Sequence, residues 1–565
     1  CQTVPEQQAA ISKVQPPEPA PLKLPFDEPE AVAQELDEDL VYSYLVGEIG
    51  TRSGELQTAL VHYLHAAVLA RDPYAAERAT RIAIHLQDEE QGLRAARRWV
   101  ELAPNSFNAR QLCGVLMLRN GEPQEALQQF RAMVRIAEAL DKDGLLLVAA
   151  ALSGEKDHTA ALEVMRGLVA DHADEAQAHY AIAVMETAQK SYPQAEESLR
   201  EAIRLQPEWD QPHVLLGRVL LITGRGQEAQ QHLASVVADY PENKVLRVSY
   251  AQLLVSEEAY ADALRQFGEL HRRHPEDHEI RYAFAMLSSQ QENWEDARRL
   301  WQLLRNEKRY HDEATYFLGQ VEEYTDNQQL AIGLYRSVPP GDYRVDAVIR
   351  AAALRAENGQ LALAREELVE ARVANPDRAE ALYLTEAQVM QQADAPPEAV
   401  LEVYETAIGA YPESNDLLYN RGLYLSEIGE YEAMEADFRA VLARDQDNAE
   451  ALNALGYVLA DRGVRLDEAL AYILRAHKLK PDNAAILDSL GWAYYRKGEY
   501  AMALRYLRDA VAANVDDEIA AHLGEVLWVT GQKDEAQSVW SEALETAPES
   551  RHLRSVMERF LSQPE

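Results

Sequence analysis

The sequence predicts an all-α solenoid built from stacked helical hairpins. Three observations carry that expectation: a composition rich in helix formers, a self-similarity near 34 residues, and a fixed order of small, large and proline positions within that period. Ala, Leu, Glu, Arg and Gln dominate, while the β-branched and aromatic runs bounded by turn residues that mark strands are missing. At 565 residues the chain exceeds one globular core, so it either divides into domains or extends as an array, and the repeat favours the array.

The small positions fall on Ala183, Gly217, Ala251, Ala285 and Gly319, about 34 residues apart each time. They continue at Ala352, Gln388, Gly422, Gly456, Gly491 and Gly524, and fade upstream through Ala149, Gly114 and Thr80 to Gly47. Large side chains follow at Phe130, Phe267, Trp301, Tyr335, Tyr404, Phe438 and Trp540. Pro207, Pro241, Pro275, Pro376, Pro412, Pro481 and Pro548 separate one hairpin from the next, where Pro ends a helix and can begin another. This ladder resembles the tetratricopeptide repeat (TPR), whose pattern places a small residue at position 8, a large one at 24 and Pro at 32. The resemblance implies a TPR α-solenoid, a right-handed superhelix of helix-turn-helix units. In it Gly or Ala lets helices A and B of one unit approach, and position 24 fills the space between them. The chain then divides into a Pro-rich arm over 1–36, divergent helical repeats over 37–170, a regular array over 171–549, and a capping helix with its tail over 550–565.

The formal net charge of -39, from 94 acidic and 55 basic residues, repels phosphate backbones and attracts basic proteins, which excludes nucleic acid as a partner. Arg94, Arg97 and Arg98, like Arg272 and Arg273, sit near predicted helix ends, where cations complement the helix dipole. Cys113 lies in an apolar helical stretch and is expected as a buried free thiol. No run reaches the roughly 18 consecutive apolar residues of a membrane helix. No phosphate-binding glycine loop, zinc-binding Cys/His spacing or nucleophile elbow occurs, and His62, His65, His158, His172 and His179 are scattered without metal-ligand spacing. Repeats fill nearly the whole chain. The expectation is therefore a protein that is no enzyme and takes no metal, cofactor or small-molecule substrate.

The TPR resemblance also implies that helix A lines a concave face, with positions 2, 5, 9 and 12 pointing into it. Position 2 carries Glu279, Glu313, Asp346, Asp416, Glu450 and Glu518. Position 5 carries Tyr180, Tyr282, Tyr316, Tyr419 and Asp488. Positions 9 and 12 add Met286, Glu323, Tyr457, Trp492, Tyr495, Glu525 and Trp528. Carboxylates receive Lys and Arg, and rigid aromatic faces receive apolar side chains, so such a groove suits a basic protein or extended segment. Each acid at position 2 also has a plainer role, because it lies in the first turn of helix A and complements the dipole. The carboxylate clamp of chaperone-binding TPR domains is not expected: Asn420 holds position 6, but the next unit has Glu450 and Ala454 where Lys and Arg are needed.

Cys1, followed by Gln2, Thr3 and a polar stretch with Pro5, Pro16, Pro17, Pro19, Pro21 and Pro25, resembles a mature bacterial lipoprotein and its tether. The resemblance implies acyl chains on Cys1; at about 0.8 kcal/mol per buried methylene, two chains already anchor durably. Gln2, in place of the Asp that commonly retains lipoproteins in the inner membrane, implies the periplasmic face of the outer membrane. Residues 2 to about 30 are expected to form a flexible spacer, and the acidic Glu28–Leu40 segment is a candidate docking helix. With Leu455-Gly-Tyr-Val-Leu-Ala460 ahead of Leu487-Asp-Ser-Leu-Gly-Trp-Ala-Tyr-Tyr495, the long acidic array resembles Gram-negative outer-membrane lipoproteins that are adaptors for a periplasmic carboxyl-terminal processing protease. That resemblance implies a non-catalytic scaffold that binds the serine protease and presents substrates such as peptidoglycan hydrolases, which are often basic. The alternative is a pilotin-like assembly factor for a pilus, secretin or polysaccharide-export machine.

Overall fold

The computed structural model describes residues 37–140, 142–514 and 516–561. Cys1, the arm over 1–36 and the part of the candidate docking helix over 28–36 lie outside the described residues. Among the described residues there are 31 α-helices, one 3-10 turn at Pro376–Arg378, and no strand. The helices pair into consecutive hairpins from Glu38–Ser53 with Leu56–Leu69 to Asp517–Val529 with Lys533–Thr546, and Arg551–Leu561 follows the last of them. The chain forms two compact units, Cys1–Leu304 and Arg305–Glu565. The all-α TPR fold is thus present over the divergent upstream repeats as well, where Gly47 packs against the Tyr63 ring and Gly114 against Phe130.

Close approach explains the small residue at position 8. A Cβ on Gly319 would sit 2.6 Å from the Tyr335 ring, and one on Gly422 would sit 2.8 Å from Phe438, nearer than packed carbon atoms come. Tyr335, Phe438, Trp301 and Trp540 are consequently sealed from solvent, each contributing about 1.5–3 kcal/mol by burial. A sealed phenol or indole needs a partner for its polar atom. Position 12 supplies it in three hairpins: Trp301 Nε1 donates to Ser289 Oγ at 2.9 Å, Tyr335 Oη donates to Glu323 Oε2 at 2.5 Å, and Gln391 Nε2 donates to Tyr404 Oη at 3.1 Å, while Trp540 uses the Ala521 carbonyl.

One position of the ladder is corrected. Gln388 is exposed, whereas its neighbour Ala387 is fully buried and packs with Tyr404. The turn from Gln392 to Pro397 holds one residue more than the turn from Ala188 to Tyr192, so the usual count back from Tyr404 stops one residue short.

The junctions between hairpins are stitched by a recurrent side-chain bond. A donor in the first turns of a helix A reaches the carbonyl six residues upstream, at the end of the preceding hairpin. Arg110 Nε reaches Pro104 at 3.0 Å, His179 Nε2 reaches Ala173 at 2.9 Å, and Arg247 Nη2 reaches Pro241 at 3.1 Å. His311 and Arg344 do the same to Arg305 and Val338 at 2.7 and 3.0 Å. Each satisfies a carbonyl in the turn, or at the helix end, that joins one hairpin to the next.

The junction at Pro207 yields a pH prediction. His213 Nε2–H donates to the Pro207 carbonyl at 2.8 Å, so His213 Nδ1 accepts, and His232 Nε2–H is its donor at 3.2 Å. This chain of donors requires a neutral His213, and burial favours the neutral form of both rings. Burial lowers the pKa of each, and burial together with His213 takes His232 down to about 4. Their contribution is present above the unfolded value near 6.5 and is lost as pH falls toward 4. Hydrogen-exchange protection factors in Asp210–Ile222 and Gly226–Asp239 should fall between pH 6.5 and 4.5 more in the wild type than in His232→Gln.

The predicted basic patches are internally paired. Arg97 bridges to Glu122, Arg98 caps the carbonyls of Ala67 and Ala70 at 3.0 and 3.2 Å, and Arg272 and Arg273 both hold Glu269. Cys113 is a buried free thiol, pushed up to about 11 by burial.

Candidate functional site

In Arg305–Glu565 the residues at positions 2, 5, 9 and 12 meet across successive hairpins. Tyr457, on helix Ala449–Asp461, donates its hydroxyl to Glu518 Oε1 at 2.8 Å, on helix Asp517–Val529. Between them runs Ala484–Arg496, which carries Asp488, Trp492 and Tyr495 at i, i+4 and i+7, hence on one face. Asp488 is almost fully buried, and both its oxygens lie 3.0 Å from His522 Nδ1. Trp492 stacks on the His522 ring at 4.1 Å between centroids, and its indole N–H donates to Asp461 Oδ1 at 3.0 Å. Tyr495 donates to Glu525 Oε1 at 3.0 Å, and Arg559 reaches the other oxygen of Glu525 from Arg551–Leu561.

Carboxylates outnumber cations in this cluster, and that sets its electrostatics. Burial opposes a charged His522, but the Asp488 charge and hydrogen bond, with Glu518 and Glu525 behind, outweigh it and hold the imidazole pKa above its ordinary value. Burial and then Glu518 hold the Tyr457 phenol far above its usual range, and burial with Glu525 does the same to Tyr495. These hydroxyls remain protonated donors.

A second grouping forms around Tyr316. Its ring lies 5.3 Å from Tyr343 and 5.8 Å from Tyr335. Tyr343 donates its hydroxyl to Glu313, and Arg350 Nη1 stands 2.9 Å from both oxygens of Glu323. Elsewhere in this unit the predicted residues stand in smaller sets. Asp346 holds Arg378 at 2.9 Å, Glu450 pairs with Lys480, and Asp416 is exposed. Trp528 stacks on Trp540 at 5.8 Å with Lys533 5.0 Å above its ring. Glu279 is exposed and Tyr282 packs edge-on to Trp301 at 5.6 Å; both belong to Cys1–Leu304.

Two differences from the sequence expectation follow. Most of the groove acids already hold a cation or a phenol of their own chain, so fewer carboxylates stand ready for a ligand than counting position 2 suggests. The tyrosines at position 5 also brace position 24 of their own hairpin, as in Tyr282 with Trp301 and Tyr419 with Phe438 at 5.7 Å. Sequence reasoning also missed Arg350 and His522. Both occupy position 6, beside the groove positions, and His522 stands one repeat length after Asp488, a spacing that could have revealed the pair.

The arrangement presents carboxylate edges and half-buried aromatic rings, Tyr457, Tyr495 and Trp528, on a rigid helical scaffold, which is the chemistry of protein recognition. Among the described residues, no group of three or more His, Cys, Asp or Glu side chains is placed to hold a metal ion, and no helix is long and apolar enough to cross a membrane.

Models of the tetratricopeptide repeat match residues 149–208, 419–484 and 483–514. A TPR repeat-containing protein of Pseudomonas aeruginosa is 38% identical over 493 residues, covering 86% of this chain and 82% of that relative. Among solved structures, the chain is similar to a thermophilic TPR protein of Thermus thermophilus, at 24% identity over 33% of this chain and 100% of that one, with a TM-score of 0.31. It is also similar to the type IV pilus biogenesis factor PilW, at 18% identity over 38% of this chain and 100% of that one, with a TM-score of 0.32. By its repeat frame and its Pseudomonas relative, the chain belongs to the family of TPR repeat-containing proteins.

Proposed function

We propose that this chain is a non-catalytic adaptor that holds a periplasmic carboxyl-terminal processing serine protease and presents basic protein substrates to it, peptidoglycan hydrolases among them. The observation that carries this reading is the acidic and aromatic cluster of Tyr457, Asp488, Trp492, Tyr495 and Glu518, where carboxylates exceed cations and the indole of Trp492 lies beside them. A basic substrate gains charge pairing at the rim and aromatic contact from the half-buried Tyr457 and Tyr495. In this reading Cys1 carries the lipid and the protein sits at the periplasmic face of the outer membrane. Intact mass of the envelope-extracted protein and its gradient fractionation check both points.

The protease is assigned to the opposite end of the chain. Helix Glu38–Ser53 buries Leu40, Ser43, Gly47 and Gly50, yet exposes Tyr42, Leu45 and Ile49 at 62%, 58% and 64% on its other side. An amphipathic partner with basic flanks suits that face, since Glu38 and Asp39 adjoin it. Crosslinking in the native envelope followed by mass spectrometry tests the whole reading: a serine protease together with basic hydrolases supports it, whereas pilus, secretin or export subunits without a protease support the assembly-factor alternative. Deleting residues 28–50 should abolish protease association and spare substrate binding. Because that deletion also uncovers Tyr63, Leu45→Asp with Ile49→Asp is the cleaner variant, and loss of both partners, or of neither, refutes the division.

A further inference from the structure

One second helix of Arg305–Glu565 stops a turn early. Gln328–Ser337 spans 10 residues, whereas the other six second helices of that unit span 14. Pro339 and Pro340 follow it, and proline neither donates a backbone hydrogen bond nor lets its predecessor stay helical. The missing turn leaves a cleft of about 730 Å³ between this helix and Leu361–Ala374, floored by Val348, Ala351 and Arg355 of helix Arg344–Glu357. A volume of this size accepts one or two large side chains.

Gly333 stands on the near wall, and a Cβ placed on it would meet nothing within 4 Å. A glycine inside a helix costs about 0.5–1 kcal/mol relative to Ala, and no neighbour in the chain requires this one. On the far wall Leu363 is 46% exposed.

The charges around the cleft are unequal in their availability. Arg336 and Arg355 both hold Glu367, at 2.7 and 3.1 Å, and Arg344 donates to the carbonyls of Arg336 and Val338. Arg355 is 6% exposed, and its Nε is the atom that meets Glu367. By contrast Glu366 and Glu370, one helical turn apart on the wall, are exposed and make no ion pair among the described residues. An anion would have to displace Glu367 from two arginines, while a cation finds two open carboxylates.

We propose that this cleft is a second docking site, for a short segment of a partner protein carrying an aliphatic or aromatic anchor one helical turn from a Lys or Arg. The anchor enters beside Gly333, over Val348 and Ala351, and the cation reaches Glu366 and Glu370. The site lies apart from the Trp492 cluster and goes beyond the adaptor reading.

The test uses the full chain and a fluorescent 12-residue peptide with Leu and Lys four residues apart, compared with the same peptide bearing Glu for Lys. Fluorescence anisotropy should give at least tenfold tighter binding for the Lys peptide, weakening with salt. Gly333→Phe, which fills the cleft, should reduce that binding at least tenfold. Glu366→Lys with Glu370→Lys, on the exposed wall, should abolish the preference without changing the melting temperature, and it serves if the Phe variant folds poorly. Trp492→Ala should leave binding intact. Equal affinity for the two peptides, or full affinity in both cleft variants, overturns the proposal. Loss in Trp492→Ala alone would move the peptide to the groove, overturning this site while leaving the adaptor reading untouched.

Discussion

Replacing Trp540 with Ala should lower the stability of the last hairpin by about 3–5 kcal/mol. The indole is fully buried, donates to the Ala521 carbonyl at 3.3 Å, and is stacked on by Trp528 and by Phe560, the latter at 6.2 Å. The cavity cannot collapse easily, because Gly524 on the facing helix offers no side chain to fill it. The effect should be local: hydrogen exchange would rise across Asp517–Val529, Lys533–Thr546 and Arg551–Leu561, while hairpins several repeats upstream keep their protection. Gly524→Val should be nearly as damaging for the opposite reason, since its side chain would occupy the indole's space. Combined with Trp540→Ala, it should cost less than the two changes added, because each relieves the other. Additive losses in this pair would mean that the small and large positions do not act as a unit.

Asp488→Ala should cost about 3–5 kcal/mol at pH 6, because it removes the buried carboxylate that pairs with the charged His522. The loss should shrink at higher pH, where the imidazole sheds its proton. In the wild type the His522 pKa is raised, so its stabilising contribution is complete below about 6.5 and is lost as pH climbs through the folded value. Without Asp488 burial dominates, the folded pKa falls below the unfolded one, and the slope of stability against pH reverses across that hairpin. Proton NMR titration of His522 with segment-resolved hydrogen exchange from pH 5.5 to 9 reads both quantities. An unchanged slope in Asp488→Ala would show that the pair carries no linkage. Its pH dependence runs opposite to that of the His213 and His232 pair, whose neutral forms are the stabilising ones.

The hairpin architecture was legible because packing geometry forces it into residue size. Gly319 beneath Tyr335 and Gly422 beneath Phe438 leave little room for a side chain, and a comparably close approach recurs at Gly114, Gly456, Gly491 and Gly524. The exception at Ala387 came from one additional turn residue, which carries no size signal of its own. The groove was legible as a set of positions but not as a state of charge. Glu450 is taken by Lys480, Asp346 by Arg378 and Asp488 by His522, partners about one repeat downstream that a position-by-position reading treats separately. Arg350 and His522 escaped notice because position 6 otherwise carries mostly apolar or small residues such as Leu215, Ala283, Phe317 and Ala454, so it does not read as a groove position. The shortened helix at Gln328–Ser337 was written in Pro339 and Pro340, yet the cleft it opens depends on the absence of a side chain at Gly333 as well.

The junction bonds carry a consequence for how such a chain is made. Each donor, from Arg110 to Arg344, reaches back only six residues, to a helix that has already been synthesised. A nascent chain emerging end first therefore needs only the first turns of the next helix A to make the bond that caps the hairpin it has just completed. Every new pair of helices can close onto its predecessor in order of synthesis, a vectorial zippering in which long-range contacts never have to wait for the far terminus.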